Sequence, residues 1–290
     1  MLVIDFMYQL PDVDIFSLVS CLFIGVSIIA VYLVKWYVPY HVRSRDNTVI
    51  GTTSALVSVI YGVLAGFSAL YLINNNSYTS DAVQREANAV ANIYRDSKWL
   101  KQPEQQNIQQ QVNRYLTHAI HIEWPKMALG MAVTDEGDVI IGRIAAQLQN
   151  AIRTDATGFL TQQSLLAEIH ALYNARHQRI NMSSAHLDPE LWVVILIGTI
   201  LTLCINYLFG LNFYLHIITV IAASLMTAST IFLLITLDKP FQGEFAITPD
   251  GLNALFRFIQ QDTDHKINRA SVERAPNVSW HLAERTRPLF

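Results

Sequence analysis

His118, His121 and Glu123 fall about one helical turn apart, a spacing at which imidazole and carboxylate could hold zinc. Glu168, His170 and His177 form a second such set. Neither belongs to a His-Glu-x-x-His pattern or a paired-cysteine ligand set, so the reading is a chain with no metal site and no cofactor. Nucleophile elbow, phosphate loop and dinucleotide glycine motif are all missing, so no enzyme chemistry is expected. The other polar groups of interest are uncharged and lie inside apolar runs. Ser54, Ser58, Gly62 and Gly66 recur every four residues, as do Gly198, Thr202, Asn206 and Gly210. Ser17, Cys21 and Gly25 repeat the pattern, and so do Thr219, Ala223 and Thr227. Spacing of four puts each set on one helix face. Such a face could pack helices closely or line a pore with hydroxyls and backbone. Asn206 stands out, because an amide at membrane depth must find a partner.

The elements that carry these stripes are long and apolar. The chain of 290 residues is 52% hydrophobic and 15% charged, with a net charge of −3. Soluble domains run near 25% charged, so polar surface is missing where lipid would be. The weak net charge gives no basic face for nucleic acid. Ile15–Val34, Thr52–Ile73 and Leu191–Leu237 contain no Lys, Arg, Asp or Glu. A bilayer core of roughly 30 Å needs about 20 helical residues, and at about 1.5 Å per residue the last run would reach roughly 70 Å. It must fold back, most simply at Gly210-Leu211-Asn212, which gives four spans. Trp36, Tyr37, Tyr40, Tyr71, Trp192, Tyr207 and Tyr214 sit near span ends, where interfacial anchors belong. No signal-peptide start precedes the first span, and Asp5, Asp12 and Asp14 lead into it. Cys21 and Cys204 lie in apolar runs and imply no disulfide.

The reading is an all-α, four-span integral membrane bundle with a helical extramembrane domain between spans two and three. Residues 1–73 hold the N-terminal segment and spans one and two, 74–190 the domain, 191–237 spans three and four, and 238–290 the tail. Within the domain, Val83, Ala87, Val90 and Tyr94 share one helical face, beginning near a cap at Thr79 or Ser80. Ile108, Val112, Leu116, Ala119 and Ile120 share a second, stopped near Pro125. Val139–Ile152 and Gln162–Ile180 predict two further helices, with a loop at Gly130–Gly137. The tail after Ile259 is polar and reads as poorly ordered. Lys35, Arg43 and Arg45 flank the first short loop, placing it in the cytoplasm; both termini and residues 74–190 then lie outside.

Several phrases resemble one bacterial family. They are Arg85-Glu86-Ala87 with Tyr94-Arg95, Glu123-Trp124-Pro125, and Arg176 with Arg179. Leu187-Asp188-Pro189-Glu190-Leu191-Trp192 follows, then Asp238-Lys239-Pro240-Phe241-Gln242-Gly243 and Ile247-Thr248-Pro249. Their order against the spans resembles the four-span, bestrophin-like bacterial membrane proteins, a domain of unknown function, over roughly residues 15 to 256. Lys239 stands where that family usually has Arg. The resemblance implies two spans, a helical domain, two spans and a short tail, and by fold-level analogy an oligomeric conduit for small anions. On this reading the chain sits in a bacterial inner membrane, in contact with lipid and with copies of itself. Glu86, Arg95, Glu123, Arg176, Arg179 and Asp238 are then either vestibule-lining charges or structural ion pairs. The alternative is a non-conducting scaffold or stress-linked interaction protein on the same fold.

Overall fold

Helix follows from the absence of breakers over long stretches, and it dominates. The computed structural model describes residues 12–150, 156–244 and 246–274, and no strand occurs among them. Asp5, the end of the Val139–Ile152 prediction and the tail beyond Arg274 lie outside the described residues. The chain opens with α1 (Asp12–Tyr37), a short α2 (Tyr40–Arg45) and α3 (Asn47–Asp96). A 3-10 turn leads into α4 (Glu104–His118), then a π turn (Ala119–Glu123) and α5 (Trp124–Ala128). After these come α6 (Glu136–Asn150), α7 (Ala156–Ser183), α8 (Pro189–Tyr207), α9 (Phe213–Asp238) and α10 (Asp250–Arg274).

Among the described residues four helices, α1, α3, α8 and α9, are long and apolar enough to cross a membrane. Tyr61, Ala65 and Leu72 of α3 pack with Ile195 of α8 and Ile231 and Leu234 of α9. Hydroxyl contacts cross the same bundle. Ser27 Oγ lies 2.7 Å from Tyr207 OH and 2.7 Å from Ser224 Oγ, joining α1, α8 and α9. Thr199 Oγ1 meets Tyr61 OH at 3.1 Å. Each such interhelical bond contributes about 0.6 kcal/mol on average, and so ranks below shape fit.

At one end the connection from α8 to α9 docks on the connection from α1 to α3. Asn47 clasps Gly210 twice, its Oδ1 accepting from Gly210 N at 2.8 Å and its Nδ2 donating to Gly210 O at 3.2 Å. Arg43 donates to Phe209 O at 3.3 Å. A Cβ on residue 210 would run into the backbone of Arg43 and Ser44, so only glycine fits there.

The second core lies beyond the apolar half of α3. There Val90 and Ile93 pack with Ile108, Val112 and Leu116 of α4, Ile144 and Leu148 of α6, Leu165 and Leu172 of α7, and Leu252 of α10.

Four local expectations are corrected. α3 runs unbroken for 50 residues and does not restart at Thr79. Thr79 Oγ1 bonds back to Asn75 O at 2.8 Å, so the hydroxyl serves the helix interior and does not cap. Pro125 does not stop the chain; it sits in the first turn of α5, where its missing N–H is tolerated, and the π turn precedes it. The stop comes at Gly130, whose φ of 66° is the left-handed conformation glycine supplies. The segment after Ile259 continues α10, tied by Tyr94 OH to Asp262 at 2.7 Å. Tyr207 is no interfacial anchor; it is buried against Ser27.

Candidate functional site

Two places collect the residues singled out by sequence. The first is a charged network at the centre of the second core. Arg176 and Arg179 stand one turn apart on α7 and are 1% and 0% exposed. Arg179 forks onto Glu86 of α3, with Nε–Oε2 at 2.5 Å and Nη2–Oε1 at 3.0 Å. Its Nη2 also reaches Glu123 Oε2 at 2.5 Å. Arg176 meets Glu123 Oε1 at 2.7 and 3.0 Å and Asp138 Oδ1 at 2.5 Å. Tyr115 OH donates to Glu86 Oε1 at 2.6 Å, and the Trp124 ring faces the Arg179 guanidinium at 5.3 Å. A Cβ on Gly137 would strike Arg176 Nε and Glu123 Oε1, so glycine lets the start of α6 close over the network.

Desolvating these ions costs several kcal/mol each, and the network persists because nearly every donor and acceptor is matched. Burial pushes the Glu123 carboxyl up, but the Arg179 and Arg176 guanidiniums outweigh it and hold the group below its ordinary range. Burial likewise acts to lower both guanidiniums, but Glu123 and Asp138 override it at Arg176, Glu86 and Glu123 override it at Arg179, and both are raised. Burial and the Glu86 charge hold the Tyr115 phenol protonated, well above its usual range.

Of the other charges, Arg95 lies outside this network; it is exposed and turns to Asn92 Oδ1 at 2.7 Å. Asp238 closes α9 by accepting from Leu187 N at 2.6 Å, tying the end of α9 to the start of α8. His118 and Glu123 do meet, at 3.4 Å, but His121 turns to Phe256. Among the described residues no His, Cys, Asp and Glu group is arranged to hold a metal.

The second place is the set of small-residue stripes. On α8 the stripe faces the chain's own interior: a Cβ on Gly198 would sit 2.8 Å from the Tyr61 ring, and Thr202 is buried. Asn206 donates to Thr202 O, one turn back on its own helix, at 2.7 Å. Gly210 lies past the end of α8, in the docked loop. On α3 the stripe divides. Ser58 is half-buried, while Gly62 and Gly66 are exposed, and Cβ atoms there would meet nothing within 4 Å.

Sequence reasoning did not name Tyr115 or Asp138, took Gly137 only as the end of a loop, and did not foresee the Ser27, Ser224 and Tyr207 contact. Tyr115 carried a signal: it falls on the apolar face with Ile108 and Val112, where a phenol tip needs a buried acceptor. Asp138 and Gly137 carried none, since both lie in the first turn of α6, where an acid or a small residue is ordinary.

The fold and these sites define an all-helical membrane protein with four apolar spans and a salt-bridged second core. The bestrophin-like domain family matches residues 21–252, and the chain belongs to that family. Its structure is similar to two crystal structures of a variant bacterial bestrophin homologue from Klebsiella pneumoniae. One has a TM-score of 0.66 at 12% identity, over 86% of this chain and 98% of that one. The other has a TM-score of 0.64 at 12% identity, over 84% and 99%. A crystal structure described as a membrane protein aligns at 0.63 and 12% identity, over 85% and 97%. At such identity the likeness is one of fold. A search of curated proteins finds no match.

Proposed function

We propose that this chain is an oligomeric, bestrophin-like ion conduit of a bacterial inner membrane, with residues 74–190 forming a helical domain outside the bilayer. The observation that carries this reading is the open face of α3. A Cβ on Gly62 or Gly66 would meet no described residue within 4 Å, although α3 is anchored on its other side by Tyr61, Ala65 and Leu72. That face is free to meet further copies of α3 or to border a path between them. No span carries a Lys, Arg, Asp or Glu in its apolar interior, so such a path is lined by small and apolar groups and closes by dewetting.

By fold-level analogy, small anions are the permeant species of this reading. Arg176 and Arg179 do not supply that preference, since Glu86, Glu123 and Asp138 already neutralise them. Purified protein in liposomes tests the reading. Chloride flux is expected from folded oligomers, and Leu at position 66 is expected to cut it several-fold. The stripe of α8, taken up within one chain, favours the second reading, a non-conducting scaffold. Well-folded oligomers that pass no ion across a range of pH and voltage would establish that alternative.

A further inference from the structure

A cleft of about 410 Å³ lies between α4 and α6, apart from the apolar spans. Helical spacing builds it: Arg114 and His118 are one turn apart on α4, and Glu136, Ile140 and Arg143 recur at four and three residues on α6. The two helices pack on each other, so both sets face the same space. Arg114 and Arg143 are exposed, and neither guanidinium pairs with another described residue. His118 forms the floor and is 6% exposed. Its Nδ1 looks out toward Glu136 Oε2 at 3.7 Å, and its Nε2 looks inward to Glu123 Oε1 at 3.4 Å. Glu136 is 68% exposed at the side chain and, like the two arginines, lines the mouth of the cleft, with the buried imidazole beneath.

Two unpaired guanidiniums on facing helices, over a partly apolar wall, are a receptor for a planar or tetrahedral oxyanion. Each guanidinium offers parallel N–H donors that match carboxylate or phosphate oxygens, and the low-dielectric wall focuses their field. The volume is within the range of small-molecule pockets. We propose that this cleft binds a small oxyanion, a carboxylate or a phosphate, held by Arg114 and Arg143 above His118. The site is separate from the apolar spans and does not depend on conduction.

Calorimetric titration of the full chain in detergent, at constant ionic strength, tests it with sodium succinate and with inorganic phosphate as probes. Saturable binding of one ion per chain is expected. In the Arg114→Gln, Arg143→Gln double variant affinity is expected to fall about ten-fold or more, because both forks are lost. The Arg114→Lys, Arg143→Lys variant keeps the charge but not the fork and is expected to fall between. Arg257→Gln, on α10, is expected to bind like wild type. Succinate alone saturating assigns the site to carboxylates, and phosphate alone assigns it to phosphates. Saturation by neither probe would overturn the proposal, and so would equal affinity across the double variants and wild type. Ligand-free melting curves, unchanged by these exposed substitutions, keep loss of binding distinct from loss of fold.

Discussion

Glu123 accepts from both arginines of α7, and no other carboxylate of the network does so. Glu123→Gln keeps the shape but leaves two buried guanidiniums short of an anion. A loss of about 3–5 kcal/mol is expected, read as a lowered denaturation midpoint in detergent. Arg95→Ala is the matching control: the side chain is exposed, and the midpoint is expected to stay put. The same residue sets an acid limit. The folded carboxyl titrates below its ordinary value of 4.5, so the unfolded state takes up the proton first. The stability Glu123 contributes is therefore whole above that value and is lost as pH falls below it. Thermal melts from pH 6 down to about 3 check this, and the Glu123→Gln variant is expected to give a flatter profile. Glu86, Glu123, Arg176 and Arg179 could be picked out by residue type and order. Their pairing could not, since Glu86 and Arg179 meet across 93 positions and no local period constrains such a contact.

At the scale of elements, two kinds of glycine separate cleanly. Gly210→Ala puts a methyl against the backbone of Arg43 and Ser44, which cannot rotate away as a side chain can. A loss of about 1–3 kcal/mol is expected, at the upper end because backbone must move, and it is read from melting of the solubilised chain. At Gly62 and Gly66 a Cβ enters open space, so Gly62→Leu and Gly66→Leu point their bulk away from the described chain at its root. They are expected to leave the helix content of the chain intact and to reduce oligomer mass, measured by light scattering in detergent. Unchanged mass in both would remove the packing role of that face. The spans were legible because charge-free length is a one-dimensional signal. The unbroken α3 was not, because Thr79 is a good cap on paper and only its bond to Asn75 O shows the hydroxyl turned back into the helix. The partner that the Asn206 amide needs lies one turn back on its own helix, at Thr202 O.

For the whole molecule, the positive charges around the first loop also have structural tasks. Arg43 is buried on Phe209 O, and Lys35 lies 4.1 Å over the Phe213 ring. Of the three, Lys35 and Arg45 are exposed and Arg43 is buried. The orientation proposed from sequence puts this loop in the cytoplasm. Cysteines introduced as Arg45→Cys or Asp135→Cys, after Cys21 and Cys204 are changed to Ser, give a direct reading with a membrane-impermeant reagent. Labelling from outside is expected at 135 and not at 45; the reverse pattern inverts the map.

The undivided length of α3 has a mechanical consequence. From Glu86, held by Arg179 and Tyr115, to Gly62 is 24 residues of helix, a rod of about 36 Å. No glycine or proline interrupts it after Gly66, so there is no hinge to absorb a twist. A tilt of about 5° where Glu86 is gripped becomes a sideways stroke of about 3 Å at Gly62, by the lever arm alone. Whatever tilts α3 at its charged clamp would therefore also load the contacts of Tyr61, Ala65 and Leu72 beside the glycine face.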